Sequence, residues 1–222
     1  MNRIAVLLVV LIATLSVRSS QGAEIKGYIR LSPEFTVTPI FVAPGYWQLP
    51  NDVMEVQPPL VDPRSEMVVE LNGAGLPNKV LVKPVLRIED SRFVPRVLPT
   101  KPNSKLTITN LDWMGHLLET KTQGTRAKRL GLKESMEYSF DKPGTYNIRC
   151  TEVPHLVAEI FVSDAPMVTL PDSTGAFRFP DIPSGSYTLR IWYRGKLAYS
   201  DPVAAKGTIR VDVELKKSPA KD

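Results

Sequence analysis

The residues Tyr138–His155 read YSFDKPGTYNIRCTEVPH, and this stretch decides the fold. It predicts a strand, then a DKPG turn whose geometry Pro143 and Gly144 supply, then a second strand ending at Cys150: a β-hairpin. Cys150 is the one cysteine of the chain, and His155 is one of two histidines. The other, His116, ends the segment NLDWMGH and follows a second short strand pattern, KLTITN.

Working outward, the same short-strand texture covers the chain. Segments EIKGYIRL, EMVVELNGAG, VAEIFVSD and GTIRVDVELKK alternate or run apolar over a few residues and stop at turn formers. KVLVKPVLRIED is β-rich but interrupted by Pro84, which suits a strand edge or bulge. Twenty prolines and thirteen glycines spread through 222 residues disfavour long helices. No amphipathic helix of useful length is visible, so the fold class is all-β, with two sandwich-like modules. Pro44–Ser65 is proline-rich, lacks periodicity and reads as a long loop or linker.

The N-terminus has the three-part layout of a secretory signal. MNR is basic, IAVLLVVLIATL is an apolar run of 12 residues, and small residues follow up to Gly22 and Ala23. The run is short for a membrane span, so residues 1–22 are read as a removable signal, with no stable membrane insertion afterwards. The expected location is periplasmic or secreted. Removing Arg3 and Arg18 with the signal lowers the net charge from +5 to +3. So mild a charge gives no reason to expect nucleic acid as a partner. Exported proteins use cysteine mostly in pairs. A lone thiol there must be buried or bound to something.

Two histidines and one cysteine at strand ends can meet at one point. Two imidazole nitrogens and a thiolate are the donor set of a trigonal copper centre. His116, Cys150 and His155 are therefore the candidate metal ligands, with one copper as cofactor. A metal-free module in which Cys150 is a small buried hydrophobe is the alternative.

TNLDWMGH and YSFDKPGTYNIRCTEVPH resemble the two site elements of the cupredoxins, the plastocyanin and azurin superfamily. The resemblance covers roughly Val80–Ser163 and implies a Greek-key β-sandwich that passes single electrons or handles copper, with no enzyme activity. Its partner would be a redox protein or another envelope protein. The site loop departs from the plastocyanin and amicyanin pattern, which has its histidine three residues after the cysteine, where this chain has Val153. Without gaps, the axial methionine of that pattern falls on Leu156. The four-residue gap of C-TEVP-H is similar to azurins and multicopper oxidases and keeps His155. In those registers the axial position falls on Glu159 or on Ile160, which a strand would point to opposite faces. Met114 is a further possible axial or neighbouring group. KTQGTRAKRLGLK carries five basic residues, among them Lys121, Arg126, Lys128 and Arg129. With Trp113 they form a candidate surface for a partner.

TGAFRFPDIPSGSYTLRIWYRG resembles the carboxypeptidase-regulatory-like, or transthyretin-like, β-sandwiches. This implies a second, smaller sandwich over residues 165–217, before a polar tail at 218–222. Strands within residues 23–79 are candidates to complete it, which would make residues 80–164 an insertion. The combination resembles exported bacterial plastocyanin-like and methylamine-utilisation-like proteins, of which this chain looks like a divergent member.

Overall fold

A computed structural model describes residues 22–35, 62–120 and 127–216. The signal-like segment, most of the proline-rich stretch, Lys121, Arg126 and the polar tail lie outside the described residues. No helix among the described residues is long and apolar enough to cross a membrane.

The described chain is all-β, with one short 3-10 turn at Pro63–Glu66. Three strands come first: β1 (Ala23–Leu31), β2 (Met67–Asn72) and β3 (Lys79–Val80). The middle of the chain opens with β4 (Val85–Glu89), β5 (Arg92–Val94), β6 (Val97–Thr100) and β7 (Lys105–Asn110). It continues with β8 (His116–Thr120), β9 (Lys128–Leu130), β10 (Ser135–Ser139), β11 (Gly144–Cys150) and β12 (Val157–Val162). The last strands are β13 (Met167–Thr169), β14 (Ala176–Ile182), β15 (Gly185–Tyr193), β16 (Lys196–Ala205), β17 (Thr208–Arg210) and β18 (Val213–Leu215).

The middle strands form a β-sandwich of two sheets, ordered β10-β7-β4-β5 and β6-β12-β11-β8-β9. The pairs β4·β7 and β6·β12 are parallel, so the chain crosses between sheets before returning. Alternate residues of both sheets turn inward to one core that includes Leu86, Ile88, Leu106, Ile108, Leu118, Ile148 and Ile160.

The expected hairpin around DKPG is not one. β10 pairs with β7 in one sheet, and β11 pairs with β12 and β8 in the other. The turn carries the chain across the core. Phe140, at the corner, is 1% exposed and its ring lies 4.5 Å from that of Tyr146. Burying that ring between the layers favours the crossing over an in-plane turn.

The first and last strands of the chain build a second sandwich. β1 pairs with β14, β17 and β18; β2 lies between β15 and β13. Its core contains Ile25, Met67, Leu71, Phe177, Phe179, Leu189 and Ile191. The two sandwiches are joined by a third apolar cluster, Val68, Val97, Phe161, Ala165 and Val168, with Trp192 packed on it. At this joint Glu70 accepts hydrogen bonds from Ser163 Oγ and from Trp192 Nε1, the latter at 2.7 Å. Lys101 Nζ donates to the carbonyls of Ala165 and Pro166. Gly195, in the β15–β16 turn, has φ +72°, and a Cβ there would stand 2.6 Å from Thr145 Oγ1. Glycine is thus required both for the turn and for its close seat against β11.

Candidate metal centre

The end of β7 organises the site. Asn110 is fully buried, and its Nδ2 donates to the carbonyls of Met114 (2.8 Å) and Gly131 (3.0 Å). Its Oδ1 accepts from the Asp112 N–H at 3.0 Å. One side chain thereby ties the loop before His116 to the loop after β9. A buried amide with its donors and acceptor satisfied costs little to keep there.

The strand register explains why His116 and Cys150 meet. β8 and β11 are antiparallel, with Cys150 opposite Leu118. His116 lies two residues from Leu118, on the same face of β8, so it is the diagonal neighbour of Cys150. Both face the core: His116 is 0% and Cys150 2% exposed. His116 Nδ1 stands 3.8 Å from Cys150 Sγ. Its Nε2 lies 3.1 Å from Asp112 Oδ2. The Asp112 carboxylate also accepts from Ser91 N–H (3.0 Å) and Trp113 N–H (3.2 Å). Burial works to raise the Asp112 carboxyl, but the Ser91 amide, His116 and the Trp113 amide outweigh it and hold it below its usual range. An ionised Asp112 accepts the Nε2 proton, which leaves the Nδ1 lone pair directed at the sulfur.

The loop after Cys150 is folded back by three backbone hydrogen bonds. Thr151 N–H donates to Leu117 O, Leu156 N–H to Val153 O, and Cys150 N–H to Leu156 O, at 2.9, 3.0 and 2.9 Å. The side chain it sends inward is Leu156, which is fully buried among the core residues around Cys150. His155 is exposed at the loop surface, one residue from the backbone group that faces Cys150. The structure therefore brings together two of the three sequence-predicted donors. Among the described residues no three His, Cys, Asp or Glu side chains gather as a metal-holding group.

The other candidates separate. Ile160 is a core residue and Glu159 faces the opposite side of β12, where it lines a cleft with Glu66 and Arg194. Met114 is half-buried, and Trp113 is 78% exposed on the same loop. Lys128 and Arg129 are exposed on β9, and Arg129 reaches Glu152 of the cysteine loop at 3.0 Å. Sequence reasoning missed Asp112, although its spacing from His116 in DWMGH is a readable signal: a carboxylate four residues before a histidine within one loop.

No family model and no curated protein matches the chain. Part of it is similar to solved structures. A reduced amicyanin variant shares 19% identity over 36% of this chain and 80% of its own, with a TM-score of 0.34. A purple cupredoxin from Nitrosopumilus maritimus shares 19% over 36% of this chain and 98% of its own, with a TM-score of 0.32. A copper-containing nitrite reductase from Thermus scotoductus shares 22% over 37% of this chain and 23% of its own, with a TM-score of 0.33. Likenesses of this level carry no argument about chemistry.

Proposed function

We propose that the chain is an exported copper-binding protein that transfers single electrons or handles copper, without catalytic activity of its own. The observation that carries this reading is the buried series Asp112–His116–Cys150, in which a carboxylate orients an imidazole toward a thiol. The donor chemistry fits the group. A soft sulfur and an imidazole nitrogen suit copper. His116 Nδ1 and Cys150 Sγ stand 3.8 Å apart, so both would be available to one copper ion.

In this reading His116 Nδ1 and Cys150 Sγ would hold the metal, and His155, on the same loop as Cys150, would be the third donor. Copper, when bound, supplies a one-electron couple. The chain itself does three things. Asp112 fixes the His116 tautomer, Leu156 and the surrounding core exclude water, and the Cys150 amide anchors the loop that carries His155. A redox protein or another envelope protein is the expected partner.

The test is titration of the full mature chain with Cu(II), followed by absorption, electron paramagnetic resonance and metal analysis. The expected result is one copper per chain and an intense thiolate-to-copper charge-transfer band that Cys150→Ser abolishes. Colour persisting in that variant would overturn the assignment. The inward Leu156 and exposed His155 favour a second reading, a metal-free sandwich scaffold that binds an envelope protein or glycan. It predicts no bound copper and an unchanged Tm on adding copper, because a ligand of the native state must stabilise it.

A further inference from the structure

The two sandwiches also meet at a second buried polar cluster, which stands independently of the copper reading. Glu66 ends the 3-10 turn before β2, and its side chain is 4% exposed. One carboxylate oxygen forms an ion pair with Arg96 Nε at 3.0 Å, and the other accepts a hydrogen bond from Arg194 Nε at 2.5 Å. Arg96 precedes β6 of the middle sandwich, whereas Arg194 lies in the β15–β16 turn of the outer one. Glu66 therefore links the two bodies through one carboxylate.

Glu159 faces this link from β12. It lines a cavity of about 210 Å³ together with Glu66, Arg96, Arg194 and Asn147. It accepts a hydrogen bond from the backbone N–H of Gly195. The charged groups around it are Glu66 on the turn, Arg96 before β6 and Arg194 in the β15–β16 turn, with the Tyr193 phenol beside these three.

We propose that Glu159 makes the junction proton-sensitive. When it is protonated, Glu66 holds both arginines and the sandwiches stay docked. When its proton is released to solvent, the new carboxylate opposes Glu66 across the cavity and the docking weakens. Burial, then the charge of Glu66, push Glu159 up to about 7, against the pull of Arg194 and the Gly195 amide. Burial lowers the Arg96 guanidinium against the pull of Glu66, and burial raises the Tyr193 phenol further above this range. An acid raised above its ordinary 4.5 stabilises the folded junction fully below that pH, and the contribution is lost as pH rises to about 7.

The test uses nuclear magnetic resonance on the full mature chain. The Glu159 carboxyl carbon and the Gly195 amide should titrate together near neutrality. The Trp192 indole N–H, which donates to Glu70 at the junction, reports opening through its hydrogen exchange. After correction for intrinsic exchange, its opening should rise about thirtyfold from pH ~5.5 to ~8 in the parent chain and stay flat in Glu159→Gln. Parallel exchange profiles in the two proteins would overturn the proposal. If the variant does not fold, the parent carboxyl titration alone decides: a midpoint at the ordinary carboxylate range also overturns it.

Discussion

Asp112, buried, and Glu159, half-buried, are both acids of the middle sandwich, and their surroundings displace them in opposite directions. Both lose hydration. Asp112 receives two backbone N–H groups and an imidazole in return, so it stays ionised. Glu159 receives one backbone N–H and faces another carboxylate. Burial sets the cost in both places, and the number of donors aimed at the oxygens decides which side wins. The first acid serves geometry, holding a ring in place. The second sits where two bodies meet and responds to protons.

The comparison is broken most forcefully at the junction. Glu66→Ala removes the carboxylate that pairs with both Arg96 and Arg194 and leaves Glu159 as the one acid among the described residues lining the cavity. Because each guanidinium is still 28–29% exposed, the cost lies at the lower end for a broken buried pair, about 3 kcal/mol by denaturant unfolding. The same substitution should leave copper affinity unchanged. A loss of copper binding in Glu66→Ala would show that the two acids belong to one unit.

At the candidate metal centre the effect should be chemical before it is structural. Asp112→Asn keeps the shape of the side chain but no longer demands a proton on Nε2 of His116. Copper affinity should fall about 10- to 100-fold, as for other groups that orient a ligating histidine. The measurement is competition against a chelator of known affinity. Unchanged affinity in a folded variant would mean that Asp112 holds the loop and does not tune the donor.

These two clusters differ in how far the sequence discloses them. Cys150 and His116 are legible because strand alternation and strand ends bring them together, and alternation is a local signal. The place of His155 is not legible. Which residue of a short loop turns inward depends on the hydrogen bonds Leu156 N–H to Val153 O and Cys150 N–H to Leu156 O, which no residue type announces. The crossing at DKPG is hidden for a similar reason, since the same turn chemistry serves a hairpin or a step between sheets. The junction is the extreme case. Glu66, Arg96, Glu159 and Arg194 come from four distant segments, and only the pairing of β1 and β2 with the C-terminal strands assembles them.

A smaller effect is expected at the surface of the cysteine loop. Arg129 and Glu152 are 63% and 40% exposed, so Arg129→Ala should change stability by less than about 0.5 kcal/mol. It also removes a tether on the loop that carries His155. If that tether restrains His155, copper should bind faster in the variant, with stability unchanged. Stopped-flow mixing checks the rate.

The smallest expected effect is an interaction energy near zero. Glu159 lies opposite Asn147 on β11, and Cys150 ends the same strand three residues on. That is about 10 Å along a strand, and the two clusters occupy opposite faces of the sheet. Groups so separated, with no shared partner, lose stability additively within about 0.5 kcal/mol. The double variant Glu66→Ala, Asp112→Asn should therefore cost the sum of the single costs. A larger coupling would require β11 and β12 to have two arrangements that both clusters bias, because a fixed strand pair has no other way to pass energy between its faces. Proton release at Glu159 would then reach the metal donors.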